Sequence, residues 1–126
     1  MRYQAILWDV DGTMVDSEPI VAASLAAALK ELGRPAPDRH LQELAMYGTS
    51  RQVMDALNLS DPEAGLQCWN RHWTDMLALS RLFPGVEDAL NALRRAGVRL
   101  GVVTSRARYE LDADPALRPL RSLFSV

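Results

Sequence analysis

Two short strand-like runs, far apart in the chain, constrain the fold most. Ala5–Trp8 is wholly apolar and ends in Asp9-Val10-Asp11-Gly12-Thr13, while Val98–Val103 ends in Thr104-Ser105-Arg106. A short apolar run that stops at acids and glycine reads as a buried parallel strand feeding a functional loop. The stretch between the two runs is patterned for helix, so they cannot be the arms of a simple hairpin. They fit one α/β layer with a helical insertion between its strands. The expected division puts Met1–Met14 and Phe83–Val126 in the α/β part and Val15–Leu82 in the insertion.

The helical stretch is punctuated clearly. Ser17-Glu18-Pro19 reads as a helix start, with Ser17 as its cap. Leu25, Leu29 and Leu32 follow at helical spacing, and Gly33 ends the run. Asp38 and Ser50 are expected to cap the next helices, and Asp61-Pro62 to open a fourth. The stripe of that fourth helix is Leu66, Trp69, Trp73, Met76 and Leu77, read as core of the insertion. A fifth helix, carrying Val86, Leu90 and Leu93 and closed by Gly97, leads into the second strand. The last residues, Leu123-Phe124-Ser125-Val126, read as the approach to a further strand.

Composition excludes several functions. A formal net charge of -2, with 24% charged and 48% apolar residues, is ordinary for a globular domain. It offers no basic surface for nucleic acid or acidic membrane. No apolar run reaches bilayer length, and Met1-Arg2-Tyr3-Gln4 has no signal-peptide pattern. A cytoplasmic location is the expectation. Cys68 is the one cysteine, so no internal disulfide forms, and it is read as inert beside the tryptophan stripe. His40 and His72 show no partner at ligand spacing and are read as surface or boundary residues.

The acids after the first strand carry the chemistry. Ligands in open α/β sheets sit beyond the carboxyl ends of strands, where Asp9 and Asp11 fall. A carboxylate can attack phosphorus and hold the phosphoryl group, with a metal neutralising the charge between the two. A second carboxyl can protonate the leaving oxygen and later activate water. Gly12 allows a sharp turn whose amides can face phosphate oxygens. A calcium loop is excluded, because Gly12 comes too early and Ile20 stands where a bidentate Glu is needed.

Asp9-Val10-Asp11-Gly12-Thr13-Met14-Val15-Asp16-Ser17-Glu18 resembles the first motif of the haloacid dehalogenase superfamily. It resembles, almost residue for residue, the version in phosphoglycolate phosphatase-like and β-phosphoglucomutase-like members. Phe83-Pro84-Gly85-Val86 resembles that family's return from cap to core, and Gly101-Val102-Val103-Thr104-Ser105 its second motif. The resemblance implies a Rossmann-like parallel sheet with an all-helical cap inserted after the first strand. It implies a Mg2+-dependent phosphatase acting on a small phosphorylated metabolite through an aspartyl phosphate. Asp9 would be nucleophile and metal ligand, and Asp11 general acid/base with its carbonyl on the metal. Gly12, Thr104 and Ser105 would hold phosphate. Arg51, in a stretch resembling the cap's specificity loop, and Arg106 would bind substrate; for each the alternative is a solvated arginine.

The resemblance also implies parts that are expected beyond Val126: a lysine that steadies the phosphorylated aspartate, and the acids that complete the magnesium site. Lys30, the one lysine, lies in the first cap helix. The chain is therefore expected to be a truncated product or a fragment, with little activity alone and an exposed sheet edge prone to self-association. The alternatives are a sugar-phosphate mutase of the same fold, a dehalogenase, which Asp11 argues against, and a non-catalytic remnant.

Overall fold

The computed structural model describes residues 2–125. The chain divides into two compact units, one joining the chain up to Ser17 with the chain from Ser80 onward, the other Glu18–Leu79.

The first unit is α/β. Strand β1 (Ala5–Trp8) pairs in parallel with β2 (Arg99–Val102), with Ala5 opposite Arg99 and Trp8 opposite Val102. The far edge of β2 accepts a parallel bridge from Phe124, reinforced by Ser125 N–H donating to Leu100 O at 2.8 Å. The expected third strand thus begins here, and Val126 lies outside the described residues. Val10, Met14, Val15, Leu90, Val98, Leu100 and Leu120 form the buried core. β1 shows only one covered face: Ile6 and Trp8 pack on the core, whereas Leu7 is 65% exposed. A strand read as buried on both faces is therefore half covered among the described residues.

The helix that precedes β2 in the chain is the one between Val86 and Arg95. Glu87 and Asp88 stand in its first turn and Arg94 and Arg95 in its last, matching the helix dipole at both ends. It stops at Gly97, whose φ of 81° suits glycine. Gly97 N–H donates to Arg94 O and Val98 N–H to Leu93 O, each at 3.0 Å, which closes the helix and aims the chain into β2.

Val15–Ser17 and Ser80–Leu82 belong with the α/β unit, so the helical segment is shorter than expected. Val15 is fully buried in the α/β core and bridges Leu82 antiparallel. Asp16 N–H donates to Arg81 O and Phe83 N–H to Met14 O, both at 2.9 Å. The outgoing and returning chains are thus tied together by backbone bonds.

The helical unit contains α1 (Glu18–Glu31), α2 (Arg39–Tyr47), α3 (Ser50–Leu57) and α4 (Pro62–Asp75), with a 3-10 turn at Leu77–Leu79. The Val86–Arg95 helix is α5, and Arg108–Ala113 is α6. Asp38 caps α2 by accepting Leu41 N–H at 2.8 Å, and Asp61 caps α4 by accepting Ala64 N–H at 3.1 Å. The cap of α3 is Thr49, one residue before the expected Ser50. Thr49 and Gln52 form a reciprocal capping box, which satisfies one more amide than a lone serine. Leu25, Leu29, Val53, Leu57, Cys68 and Trp69 form this unit's core. Trp69 is buried and donates its indole N–H to Ser24 Oγ at 3.1 Å, while Trp73 is half-buried. Among the described residues, no helix is long and apolar enough to cross a membrane.

Leu90 is fully buried on α5. Leu90→Ala should lower stability by about 2–5 kcal/mol, the usual cost of such a cavity, read as a lower urea midpoint. In the helical unit, hydrogen bonds from Cys68, His72 and Arg71 hold the Glu31 carboxyl at about 2, against an ordinary 4.5. A depressed folded value means this contribution is present above pH 4.5 and is lost as pH falls toward 2. Thermal melts of Glu31→Gln should therefore depend less on pH across that window than those of the unsubstituted protein.

Candidate active site

Because β1 and β2 are parallel and in register, the loops that follow them leave from the same end of the sheet. Val103 N–H donates to Trp8 O at 2.9 Å, carrying the pairing to the last residue before Asp9. Asp9 and Asp11 on one loop, and Thr104, Ser105 and Arg106 on the other, are thereby gathered in the α/β unit.

The first loop is wound around one carbonyl. Val10 O accepts N–H groups from Thr13 at 3.2 Å, Met14 at 2.9 Å and Val15 at 3.0 Å. Val10 and Met14 are fully buried and pin the loop to the core. Between them, Asp9 is exposed, and its Oδ1 accepts Val10 N–H at 2.9 Å. Gly12 makes the turn with φ of 77°, but its N–H already donates to Val15 O at 2.9 Å. Gly12 thus makes the sharp turn, with its own amide bonded inside the loop.

Asp11 is held by a cation. Arg106 Nε donates to Oδ2 at 3.0 Å and Nη2 to Oδ1 at 2.7 Å, and the Ser17 hydroxyl also donates to Oδ1. Nη1 of the same guanidinium donates to Asp114 Oδ2 at 2.8 Å. Asp114 is fully buried and also accepts Ser80 Oγ and Ala116 N–H, each at 2.9 Å. The Arg106 side chain is only 5% exposed. Burial opposes its charge, but the bonds to Asp11 and Asp114 outweigh burial and raise its pKa above the ordinary arginine value.

This changes the reading of Arg106. It is neither a solvated arginine nor an open cation, because two carboxylates already occupy it. Ser17, expected to cap α1, donates its hydroxyl proton to Asp11. Thr104 is half-buried, and its Oγ1 accepts Arg106 N–H at 3.1 Å, which fixes the start of that loop. Ser105 is exposed. Arg51 stands exposed in the first turn of α3, in the helical unit. Sequence reasoning missed Ser80 and Asp114. Their signal was weak: Asp114 is one of several acids after the second motif, and its fitness as a partner for Arg106 depends on burial.

Asp9 and the Asp11 backbone carbonyl offer hard oxygen donors, which suit Mg2+. The Asp11 side chain is committed to Arg106, so Asp9 carries the carboxylate charge open to a cation. An open cleft of about 780 Å³ is lined by Thr104, Arg106, Arg118 and Phe124 among others, but not by Asp9 or Asp11. It is therefore not assigned as the reaction site.

Removing Arg106 would leave the buried Asp114 carboxylate with hydroxyl and amide partners but no cation. Arg106→Met should destabilise the protein by about 3–5 kcal/mol, the usual cost of breaking a buried pair. Arg106→Lys should recover little, since an ammonium cannot reproduce the guanidinium fork across two acids. Arg106→Met combined with Asp114→Asn should cost less than the sum of the single changes in denaturant melts.

The model of the haloacid dehalogenase-like hydrolase family matches residues 6–126. A phosphoglycolate phosphatase of Synechococcus elongatus is 38% identical over 126 residues, covering 98% of this chain and 59% of the relative. An N-acetylmuramic acid 6-phosphate phosphatase of Pseudomonas putida is 33% identical, covering 95% of this chain and 56% of the relative. A crystal structure from Lactobacillus plantarum, provisionally assigned as a phosphoglycolate phosphatase, superposes with a TM-score of 0.85 at 25% identity, covering 100% of this chain and 61% of that one. The chain thus spans rather more than half the length of these relatives. The match over both strands, both loops and the helical segment has one conclusion: this chain belongs to the haloacid dehalogenase-like hydrolase family.

Proposed function

We propose that the whole protein is a Mg2+-dependent phosphatase acting on small organic phosphomonoesters through a phosphorylated Asp9. The observation that carries this reading is the contrast between two acids on one loop. Asp9 is exposed at the end of β1, with a single hydrogen bond from its neighbour, while Asp11 is clamped by Arg106 and Ser17. An uncommitted carboxylate suits a nucleophile, and a fixed one suits a proton carrier. The phosphatase relatives support the reaction class.

The Asp9 carboxylate would attack phosphorus and expel the alcohol, and Asp11 would give that leaving oxygen its proton. In the second half, Asp11 would take a proton from the water that hydrolyses the aspartyl phosphate. The second step suits the observed geometry directly, because an Asp11 with both oxygens on a guanidinium is an acceptor. The first requires a proton to replace one of the Arg106 bonds. Arg106 is thus a positioning residue. Thr104, whose hydroxyl oxygen accepts Arg106 N–H, would hold a phosphoryl oxygen, and Ser105 another. Bound at Asp9 and the Asp11 carbonyl, Mg2+ would neutralise charge between the nucleophile and the anionic ester. The Glu18–Leu79 helical unit would act as a cap that selects substrate, with Arg51 as a contact to it. Arg106, held by Asp11 and Asp114, does not favour the second phosphate site that a mutase needs.

Asp9→Asn should abolish Mg2+-dependent phosphate release from an aryl phosphate, by on the order of 10⁴-fold or more, with an unchanged circular dichroism spectrum. Asp11→Asn should cost about 10²–10⁴-fold, the range for a lost general acid/base. Near-full turnover in Asp9→Asn would remove Asp9 as nucleophile. Near-full turnover in Asp11→Asn would point to chemistry that needs no proton carrier.

A further inference from the structure

Three metal-ligating side chains converge in the helical unit, away from the phosphatase motifs in the chain. Cys68 and His72 stand one turn apart on α4, four residues being the spacing that shares a helix face. Glu31 is the last residue of α1, which packs along α4. One oxygen, Glu31 Oε2, lies 2.9 Å from Cys68 Sγ and 2.7 Å from His72 Nε2. The three ligand atoms all lie within 4.8 Å of one another. We propose that Glu31, Cys68 and His72 form a binding site for a borderline-soft divalent cation of the zinc class, with solvent in the fourth position.

The geometry is close to what such an ion requires. Tetrahedral bonds of ~2.0–2.3 Å separate neighbouring ligand atoms by about 3.5 Å. The two short distances must therefore open by less than about 1 Å, a shift within reach of the terminal torsions of Glu31, which is about half exposed. Burial is graded in a useful way: Cys68 is buried, His72 partly buried, and Glu31 exposed at the mouth. The thiolate would sit deepest and the open position would face water.

The donor set fixes the class of ion. Sulfur, imidazole nitrogen and a single carboxylate suit zinc, and cobalt as its probe, far better than magnesium, which prefers oxygen ligands. The protons balance simply. Without a metal, Cys68 S–H and His72 Nε2 both face Glu31 Oε2. On binding, the cation takes their place: Cys68 releases its proton to solvent, and His72 binds through Nε2 as the neutral tautomer carrying its proton on Nδ1. Arg71 also fits the site. Its Nη2 lies 2.6 Å from Glu31 Oε1 and 2.5 Å from Oε2, so on metal binding it must give up Oε2 and keep Oε1, the place an outer partner of a ligating carboxylate takes.

The test uses Co2+ as an optical probe and Zn2+ as competitor, with excess Mg2+ present to occupy the Asp9 site. Titration should give one equivalent of a tetrahedral cobalt spectrum with a thiolate-to-metal band in the near ultraviolet, which Zn2+ abolishes. Calorimetry in buffers of different ionisation enthalpy should show about one proton released per Zn2+, since metal binding deprotonates the thiol. Cys68→Ser should remove the near-ultraviolet band. Glu31→Gln and His72→Ala should weaken binding by ~10-fold or more, since even changes outside the ligand shell cost about that much. Circular dichroism checks folding, and His72→Ala, at a half-buried position, carries the test should Cys68→Ser not fold. No thiolate band in the unsubstituted protein, or binding that Glu31→Gln and His72→Ala leave unchanged, would overturn the proposal and leave Glu31 as an ion-pair partner of Arg71 only.

Discussion

The α/β unit depends on one guanidinium. Arg106 is nearly inaccessible to water and bridges Asp11, on the loop after β1, to Asp114, beyond α6. Ser17 joins through Asp11 and Ser80 through Asp114. Three stretches distant in the chain, around Asp11–Ser17, Ser80 and Arg106–Asp114, thereby share one small set of charges. Buried charges are tolerated only when paired and hydrogen-bonded, and here the fork of arginine satisfies both acids at once. The two serines also mark where the chain leaves for the helical unit and where it returns. The network therefore ties the chemistry-bearing loop to both crossing points.

The same network separates the fates of two similar acids. Asp9 and Asp11 differ little as sequence, but one faces solvent and the other a cation. The cause lies in the turn between them, where three amides converge on Val10 O and Val10 packs inward. An inward valine between outward acids is a strand-like alternation carried one step past the strand. The geometry of the site is thus an extension of β1, and its rigidity derives from Val10 and Met14 in the core rather than from the acids.

Much of this was legible in the sequence, for definite reasons. Apolar runs ending in acids, glycines at positive φ and Asp-Pro or Asp-x-x starts act locally, so the strands and most helix ends could be read from neighbouring residues. The cap of α3 moved by one residue because Thr49 and Gln52 satisfy two amides together. What could not be read was long-range. The burial of Arg106 depends on Asp114, eight residues on, and on Asp11, ninety-five residues back. Ser17 reads locally as a helix cap, and nothing local shows that its hydroxyl proton goes to Asp11. Cys68 and His72 stand one helical turn apart in the sequence, a spacing that by itself names no partner. The partner that gives the spacing meaning, Glu31, is brought in only by the packing of α1 on α4.

The parallel register of β1 and β2 has a consequence for how such a site can change over generations. The loops that carry Asp9 and Thr104 leave the sheet at one level because the strands pair in register, Trp8 against Val102, and side chains alternate along each strand. Substitutions that keep both strands extended and their inner face packed leave the alignment intact. Adding or removing a single residue inside either strand would turn the next side chain to the opposite face and break the alignment outright. The loops beyond Thr13 and Arg106 are under no such arithmetic. Lineages carrying this motif should therefore gain or lose residues in the loops and not within the strands.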